Sequence, residues 1–290
     1  MTSPLLPAGA CDCHVHVVAP QADYPMLADR HYTPGPASAE SLHAHLQRLG
    51  LAHAVIVQPS IYGSDNRLLV DSLLALDSAA RGVAVADDDV TDAELARLHD
   101  AGVRGLRVNL ESTGASDAAA VSRALSAWAG RLAGQGWHIQ VYASLDAIAS
   151  AAPALARLPV PVVLDHFAMI PAQLGLDDPR VRQVLDLVGD GAAYVKLSAS
   201  YRIASEPDDA TQAGRIAALA QAFINRNPER ALWASDWPHT NREPGKQATE
   251  VSAYRDVPAA RLLREIEDWL PDAAQRRQVL ADNPAALYGF

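Results

Sequence analysis

The chain has 290 residues, 49% of them hydrophobic, and a formal net charge of −10 at pH 7. This length and composition allow a large buried core, while the negative charge argues against nonspecific nucleic-acid binding, which requires a positive field. No stretch reaches the roughly 18 consecutive apolar residues that indicate a membrane-spanning helix, so we expect neither a membrane span nor a nucleic-acid partner.

Eight short apolar runs alternate with amphipathic segments along the chain. The predicted strands are CDCHVHVV, HAVIVQPS, GVAVAD, VRGLRVNL, HIQVYA, PVVLDHF, AYVKLSAS and ALWASDW, which begin near residues 11, 53, 82, 103, 138, 161, 193 and 231. This alternation predicts an α/β fold, a (β/α)8 TIM barrel that forms a single domain over residues 1–290. A doubly wound sheet is the alternative, but ligand-like residues near the end of most strands favour the barrel.

Helical segments such as AESLHAHLQRLG and NRLLVDSLLAL lie between the strands, and several follow a capping residue or end in Gly. The longest irregular regions, residues 18–38 and 236–258, follow strand ends, where the active-site loops of barrels lie. The last segment, LLREIEDWLPDAAQRRQVLADNPAALYGF, predicts two terminal helices.

The two cysteines, Cys11 and Cys13, stand two residues apart on the first predicted strand. Their Cβ atoms would lie too far apart for a disulfide. The N-terminal MTSPLLPAGA has no basic segment and no long apolar run, so we expect no signal peptide. We therefore expect a reduced, cytoplasmic protein.

Side chains alternate between the two faces of a strand. In CDCHVHVVAP this alternation places Asp12, His14 and His16 on one face, which we expect to point into the barrel mouth, and the cysteines on the other face as buried packing groups. A single histidine is more often a structural residue. Two histidines at i and i+2, at the end of a first barrel strand, favour a functional site.

The same alternation predicts further polar residues that point into the barrel near its strand ends. On the second strand, Gln58 and Ser60 point inward if Val55 and Val57 face the helices. The other members of this set are Arg107, Asn109, Gln140, Tyr142, Asp165, His166, Lys196, Ser198 and Asp236. Each has a structural alternative, such as a surface position for a lysine, but their common place at strand ends favours one site.

The motifs HVH on the first strand, LDHF on the sixth and ASDWPH on the eighth resemble the amidohydrolase superfamily. More narrowly, DCHVHV, RHYTPGPAS, VIVQPSIYGSDNR, RGLRVNL, VKLSASYR and SDWPHT resemble its amidohydrolase-related family 2, and within it the lactonases of 2-pyrone-4,6-dicarboxylate and related rings. The resemblance spans roughly residues 10–290. It implies a hydrolase that opens a small anionic lactone, a cyclic carboxylic ester.

The resemblance also raises the question of a metal. A full superfamily site adds a Lys or Glu on strand four and a histidine on strand five, where this chain offers Arg107, Gln140 and Tyr142. We therefore expect no binuclear centre, and the related lactonases imply that no cofactor is needed. One divalent ion such as zinc is the alternative, since three or four N or O ligands suffice. Its candidate ligands are His14, His16, His166 and Asp236.

The same resemblance implies roles for the site residues. Asp236 is expected to act as the general base, and the catalytic histidines His14, His16 and His166 are expected to polarise the scissile carbonyl. Arg107 and Arg202 are expected to grip substrate carboxylates. Tyr32, Ser60 and Tyr142 would add hydrogen bonds, His239 would orient the base or touch substrate, and Lys196 is a weaker candidate for the anion pocket.

One departure from the lactonase pattern lies in RVNLESTGASDAAA. Lactonases of pyrone dicarboxylate carry further basic residues soon after the strand-four arginine, whereas here Glu111 follows and the next basic residue is Arg123. We therefore expect one carboxylate clamp to be missing. A monoanionic lactone, a sugar-acid lactone or a muconolactone-type compound fits as well as the dicarboxylated pyrone.

Other functions stay open at this point. A mononuclear zinc-dependent decarboxylase or amidohydrolase would use the same barrel, a noncatalytic binding protein would keep the pocket without turnover, and lactone isomerisation would use a similar site. The fold does not choose among them, because barrels host many reactions. The sequence also leaves the oligomeric state open.

Overall fold

The computed structural model describes residues 5–109 and 118–290, and its centre is a parallel barrel. The strands pair side by side in chain order, from β1 to β8. Their bounds are β1 (Cys11–Val15), β2 (His53–Val57), β3 (Ala80–Ala84), β4 (Val103–Asn109), β5 (His138–Tyr142), β6 (Val162–Leu164), β7 (Ala193–Leu197) and β8 (Ala231–Trp233). The predicted (β/α)8 barrel is confirmed, and six of the strands begin at the predicted residue.

Helices fill the connections and continue after the last strand. They are α1 (Ala39–Leu49), α2 (Arg67–Leu76), α3 (Asp92–Asp100), α4 (Ala118–Leu132), α5 (Leu145–Leu155), α6 (Pro179–Gly189), α7 (Ser200–Ile203), α8 (Ala210–Arg226), α9 (Ala259–Trp269), α10 (Ala273–Arg277) and α11 (Asn283–Tyr288). A π-helical segment, Gln278–Asp282, joins α10 to α11. Helix α1 illustrates how the sequence sets these bounds, because the Ser38 side chain caps its start and Gly50 takes the left-handed conformation at its end.

Backbone hydrogen bonds close the barrel at its carboxyl end. The Asp236 N–H donates to the carbonyl of His14 at 3.1 Å, and the His16 N–H donates to the carbonyl of Trp237 at 2.8 Å. These bonds hold the ends of β1 and β8 together. They also bring the first and the last sequence motifs into contact.

Apolar side chains fill the lower half of the barrel interior, nearer the amino ends of the strands. Cys11, Cys13, Val55 and Val57 pack there with Tyr288, which comes from helix α11. Both cysteines are free and buried, so their packing role agrees with the prediction, but their predicted orientation is wrong. They point into the barrel.

The orientation fails because β1 does not alternate regularly. Its pairing with β2 shifts register between Asp12 and Val15, and an irregularity of this kind changes the face on which later side chains lie. His14 therefore faces the interior together with Cys13, while the Asp12 side chain lies beside His45 of α1. On β2 the expected orientation is also reversed, because its valines face the barrel.

Two loops meet beside the barrel mouth. A short parallel pairing joins Thr33–Pro34 to Val251–Ser252, and the Thr33 hydroxyl donates to the carbonyl of Ala248 at 2.7 Å. These contacts link the two long irregular regions that the sequence indicated. No helix in residues 5–109 and 118–290 is long and apolar enough to cross a membrane.

Candidate active site

Three imidazoles surround one carboxylate oxygen at the carboxyl end of the barrel. Asp236 Oδ1 lies 3.8 Å from His14 Nε2, 3.7 Å from His16 Nε2 and 3.9 Å from His166 Nε2. The Nε2 atoms of His14 and His16 are themselves 3.3 Å apart. All four predicted catalytic side chains are almost fully buried, so the structure brings this set together.

Unusual backbone conformations hold parts of this cluster in place. Asp236, His166 and His239 have φ angles of 63°, 49° and 70°. Residues other than glycine rarely occupy this left-handed region, and such strain tends to collect at functional sites. His166 and Asp236 lie just beyond the ends of β6 and β8, and His239 lies farther along the loop after β8.

Asp236 is held by charge and by hydrogen bonds on its Oδ2 atom. Arg202 donates to Oδ2 through Nε at 2.9 Å, its Nη2 lies 2.7 Å from the same oxygen, and the Tyr201 hydroxyl donates to it at 2.7 Å. Burial raises the pKa of Asp236, but Arg202 and the surrounding histidines outweigh it and hold the pKa well below its usual range. Asp236 is therefore ionised at neutral pH, and its other oxygen, Oδ1, has no hydrogen-bond partner among the described residues.

The histidines are uncharged at neutral pH. Burial lowers the pKa of His16 and of His166 to about 4, and it holds the pKa of His14 well below the usual range. His16 Nδ1 lies 2.7 Å from the carbonyl oxygen of Val57. A carbonyl only accepts, so Nδ1 carries the proton and Nε2 turns a lone pair toward Asp236.

A cavity of about 270 Å³ opens above the cluster. It is lined by His16, His31, Tyr32, Pro59, Ser60, Arg107, Tyr142, His166, Arg202 and Thr240. The guanidinium of Arg107 lies 5.4 Å from the centre of the Tyr142 ring. All five predicted substrate-binding residues from Tyr32 to Arg202 therefore reach this cavity.

Three sequence expectations need correction or restriction. Asp12 does not point into the site but accepts from the Ser235 N–H at 2.9 Å, because Cys11 and Cys13 face the barrel and alternation places Asp12 on the opposite face. The Gln58 amide donates to the carbonyl of Asp65 at 2.8 Å, within the loop after β2. His239 is buried beside Tyr201, 3.5 Å from its hydroxyl, and does not line the cavity. Glu111 and the predicted gap in the carboxylate clamp lie outside the described residues.

A second polar layer lies under the histidines. Asp165 Oδ1 is 3.2 Å from His14 Nδ1 and 3.4 Å from Lys196 Nζ, and Gln140 donates to Asp165 Oδ2 at 3.0 Å. Lys196 is fully buried. It supports this layer and does not line the cavity, which corrects its expected place in the anion pocket.

Comparison with known proteins places these residues in a family. The sequence profile of the amidohydrolase family matches residues 11–290. The chain belongs to the amidohydrolase family. The expected resemblance is confirmed.

Two curated relatives of this amidohydrolase are named for lactone hydrolysis. The 2-pyrone-4,6-dicarboxylate hydrolase of Comamonas testosteroni is 32% identical over 295 residues, which cover 98% of this chain and 91% of the relative. The 4-sulfomuconolactone hydrolase of Hydrogenophaga intermedia is 29% identical, and the match covers 98% of this chain and 90% of the relative. The crystal structure of a protein from Pseudomonas putida, named a putative 2-pyrone-4,6-dicarboxylic acid hydrolase, superposes on this chain with a TM-score of 0.82. The two sequences are 30% identical, and the match covers 98% of both chains.

The donor atoms of this amidohydrolase suit one metal ion by type. Ligand atoms of His14, His166 and Asp236 lie within 4.8 Å of one another, and His16 Nε2 lies close by. The partnerless Oδ1 of Asp236 and the imidazole lone pairs are ligands that zinc accepts. If an ion binds, these four residues would hold it.

Sequence reasoning missed several residues of the site. His31 and Thr240 line the cavity, and Tyr201 binds the candidate base. Each stands next to a residue that was predicted, within RHYTPGPAS, VKLSASYR or SDWPHT. Their position next to a predicted residue was therefore the signal that could have identified them. Strand alternation could not, because it does not apply to residues in loops and short helices.

Proposed function

We propose that this amidohydrolase hydrolyses a small anionic lactone, with Asp236 activating the water. The observation that carries the proposal is the buried Oδ1 of Asp236, which faces three imidazole nitrogens beneath a cavity that two arginines line. The names of the two curated relatives support a lactone as the substrate class.

The water is held by acceptors. A neutral His16 has its proton committed to Val57, so its Nε2 accepts, as does Asp236 Oδ1. A water that donates one hydrogen to each turns an oxygen lone pair toward the cavity and the lactone carbonyl. His16 thus orients the nucleophile, which replaces the carbonyl-polarising role that the sequence resemblance implied for it.

The developing oxyanion requires a positive group that faces the cavity. Arg107 fits this role, because it lines the cavity with a side chain only 9% exposed, and charges act strongly where water is excluded. His166 lines the same cavity as Arg107, and its Nδ1 lies 2.9 Å from the Ser198 hydroxyl. If that hydroxyl donates to Nδ1, the proton of His166 sits on Nε2, facing the reaction.

The proton balance closes on Asp236. Water attacks the carbonyl carbon while Asp236 takes its proton, the ring C–O bond then breaks, and the leaving oxygen receives that proton. The product is a hydroxy acid, or an enol acid where the ring oxygen was bonded to an alkene carbon, and the new carboxylic acid releases a proton at neutral pH.

Substrate binding strengthens the base in this mechanism. Arg202 is 23% exposed and lines the cavity while it binds Asp236. A substrate carboxylate that shares Arg202 weakens the interaction that holds the pKa of Asp236 low, so that pKa rises toward its ordinary range. A proton acceptor with a higher pKa is a better general base.

We propose that the reaction needs no metal. Three cationic groups, those of Arg107, Lys196 and Arg202, already lie around the two carboxylates of Asp165 and Asp236, and a divalent ion would add like charge to them. An ion held by the four candidate ligands would supply a Lewis acid and a more acidic bound water.

A zinc-dependent hydrolase or decarboxylase is the second candidate, and the triad His14, His166 and Asp236 favours it. Treatment with a chelator separates the two. Activity that survives supports the metal-free reaction, and activity that is lost and returns only with zinc supports the second candidate.

The experiment for the proposed function is a panel of lactones incubated with purified protein, followed by identification of the product. The panel holds 2-pyrone-4,6-dicarboxylate, muconolactones and aldonic and aldaric acid lactones. Ring-opened acid is the expected product. Binding without product would instead identify a noncatalytic protein, and a rearranged lactone would identify an isomerase.

A further inference from the structure

A fully buried ammonium group lies beneath the proposed catalytic cluster, and the mechanism above does not use it. Lys196 Nζ donates to Gln140 Oε1 at 2.6 Å and lies 3.4 Å from Asp165 Oδ1 and 3.4 Å from His14 Nδ1. Burying a charge is costly unless the surrounding groups satisfy it. These contacts therefore indicate a specific purpose for the lysine.

The contacts of Lys196 fix the direction of the hydrogen bonds around it. An ammonium group only donates, so Gln140 must present its carbonyl oxygen to Lys196. The amide nitrogen of Gln140 then faces Asp165 and donates to Oδ2 at 3.0 Å. The charge of Lys196, 3.4 Å from Asp165 Oδ1, also favours the ionised carboxylate. Asp165 Oδ1 therefore only accepts, and it lies opposite His14 Nδ1 at 3.2 Å.

His14 can satisfy its neighbours in two ways. With the proton on Nδ1 it donates to Asp165, and its Nε2 lone pair faces Asp236. With the proton on Nε2 it donates to His16 Nε2 at 3.3 Å and accepts from Lys196, but a nitrogen lone pair then faces a carboxylate oxygen at 3.2 Å. The first arrangement turns that contact into a hydrogen bond, and its own lone pair lies farther from Asp236 Oδ1, at 3.8 Å, where the proposed water donates. Lys196 then directs its N–H bonds to Gln140 Oε1 and Asp165 Oδ1, which both accept.

We propose that Lys196 is a positioning residue: through Gln140 and Asp165 it keeps the proton of His14 on Nδ1 and turns the Nε2 lone pair toward Asp236. His14 and His16 then present the same kind of acceptor, so either can take the second hydrogen of the water that donates the first to Asp236. The consequence for catalysis rests on the proposed function, whereas the position of the proton on His14 does not.

Nitrogen-15 NMR of histidine-labelled, chelator-treated protein tests the proposal in the resting enzyme. Protonated and unprotonated ring nitrogens have distinct chemical shifts, and comparison with a His14→Gln variant assigns the resonances of His14. A proton on Nδ1 is the expected result. A proton on Nε2 would overturn the proposal whatever the enzyme acts on.

The Lys196→Met variant tests the part that the lysine plays. Lys196 and Lys246 are the two lysines of the chain, and Lys246 pairs at the surface with Glu243, so Lys246→Met is the matched control. We expect the Nδ1 proton to be partly or fully lost from His14 in Lys196→Met and kept in Lys246→Met. An unchanged tautomer in a folded Lys196→Met protein would contradict the proposal.

Asp165→Asn supplies a second test if Lys196→Met does not fold. Gln140 still donates to the side-chain oxygen of residue 165, so the amide nitrogen takes the place of Oδ1. Lys196 can no longer donate there and turns to His14 Nδ1, 3.4 Å away, so the proton of His14 moves to Nε2. A proton that stays on Nδ1 in this variant would show that the hydrogen-bond directions do not set the tautomer, which also overturns the proposal.

Kinetics give the catalytic consequence separately. Lys196→Met should lower kcat by roughly tenfold to hundredfold, the loss that is typical when a residue supporting the functional histidines of a metal site is changed. KM should change little, because Lys196 does not line the cavity. A shifted tautomer with unchanged kcat would remove His14 from the proposed mechanism and leave the structural inference intact. A wild-type enzyme that opens no lactone would remove the proposed function, and the NMR result would still stand.

Discussion

The two halves of the barrel interior differ in polarity and in charge. The lower half is filled by cysteines and valines that pack against Tyr288. The upper half holds three imidazoles and two carboxylates with three basic side chains around them. The lower half stabilises the barrel through apolar burial, whereas the upper half places charged groups where burial is costly. Changes below should therefore alter stability, and changes above should alter turnover.

Asp236→Asn gives the largest expected effect, and it lies in the upper half. The amide cannot accept the proton of water, so kcat should fall about 10³-fold or more, in the range that loss of general acid–base catalysis produces. Turnover of the preferred lactone measures it. The fold should persist, as judged by circular dichroism, and near-normal turnover in a folded variant would refute the role of Asp236.

Tyr288→Ala tests the lower half. Truncating a fully buried aromatic side chain should lower the free energy of unfolding by about 3 kcal/mol, with little change in kcat at a temperature where the variant stays folded. Urea unfolding measures the loss. Tyr288→Phe is the matched control, because the hydroxyl has no hydrogen-bond partner among the described residues, and its removal should cost little. A Tyr288→Ala variant that keeps its stability but loses kcat would break the division.

Arg107→Met should weaken the use of an anionic substrate. The loss of a charge-assisted hydrogen bond costs about 2 kcal/mol, so kcat/KM should fall roughly thirtyfold. Steady-state kinetics with an anionic lactone and with an uncharged one separate carboxylate binding from oxyanion stabilisation. Arg104→Met is the control on the same strand, because Arg104 bonds to backbone carbonyls outside the cavity. An equal loss in both variants would speak against a specific role for Arg107.

The smallest expected effect is a pH dependence of stability from His138, whose ring lies edge-on to that of Tyr288 in the lower half, with the ring centres 5.3 Å apart. Burial lowers the pKa of His138 to about 3, while in the unfolded chain it is about 6.5. On acidification the unfolded state binds a proton that the folded state does not, so stability falls as the pH drops below the unfolded pKa. Between pH 7 and 5.5 the loss should be about 1 kcal/mol. His138→Gln should flatten this part of the urea-unfolding profile. An unchanged profile would mean that His138 is not held neutral.

The sequence predicted the barrel well because each apolar run and each helix carries its own local signal. The residue types around Cys11 and His53, for example, predict to within a few positions where their strands begin. The direction of side chains at Asp12 and Gln58 was not predictable in this way. It depends on which face of each strand packs into the barrel, and this is set by tertiary pairing.

The residues of the candidate site also divide into those with a local sequence signal and those that depend on tertiary contacts. His14, His16, His166 and Asp236 stand at strand ends, so motif and spacing identified them. Tyr201 and Thr240 reach the site from a short helix and a loop, whose paths no periodicity describes. The proton positions on the histidines depend on partners such as Val57, far away in the sequence.

The most direct test of the central claim is proton release from a lactone by chelator-treated enzyme, followed with a pH indicator and run beside Asp236→Asn. Steady release by the metal-free wild type, with almost none from the variant, is the result that a water activated by Asp236 predicts. Release that appears only after zinc is added would contradict it and would make His14, His16 and His166 metal ligands.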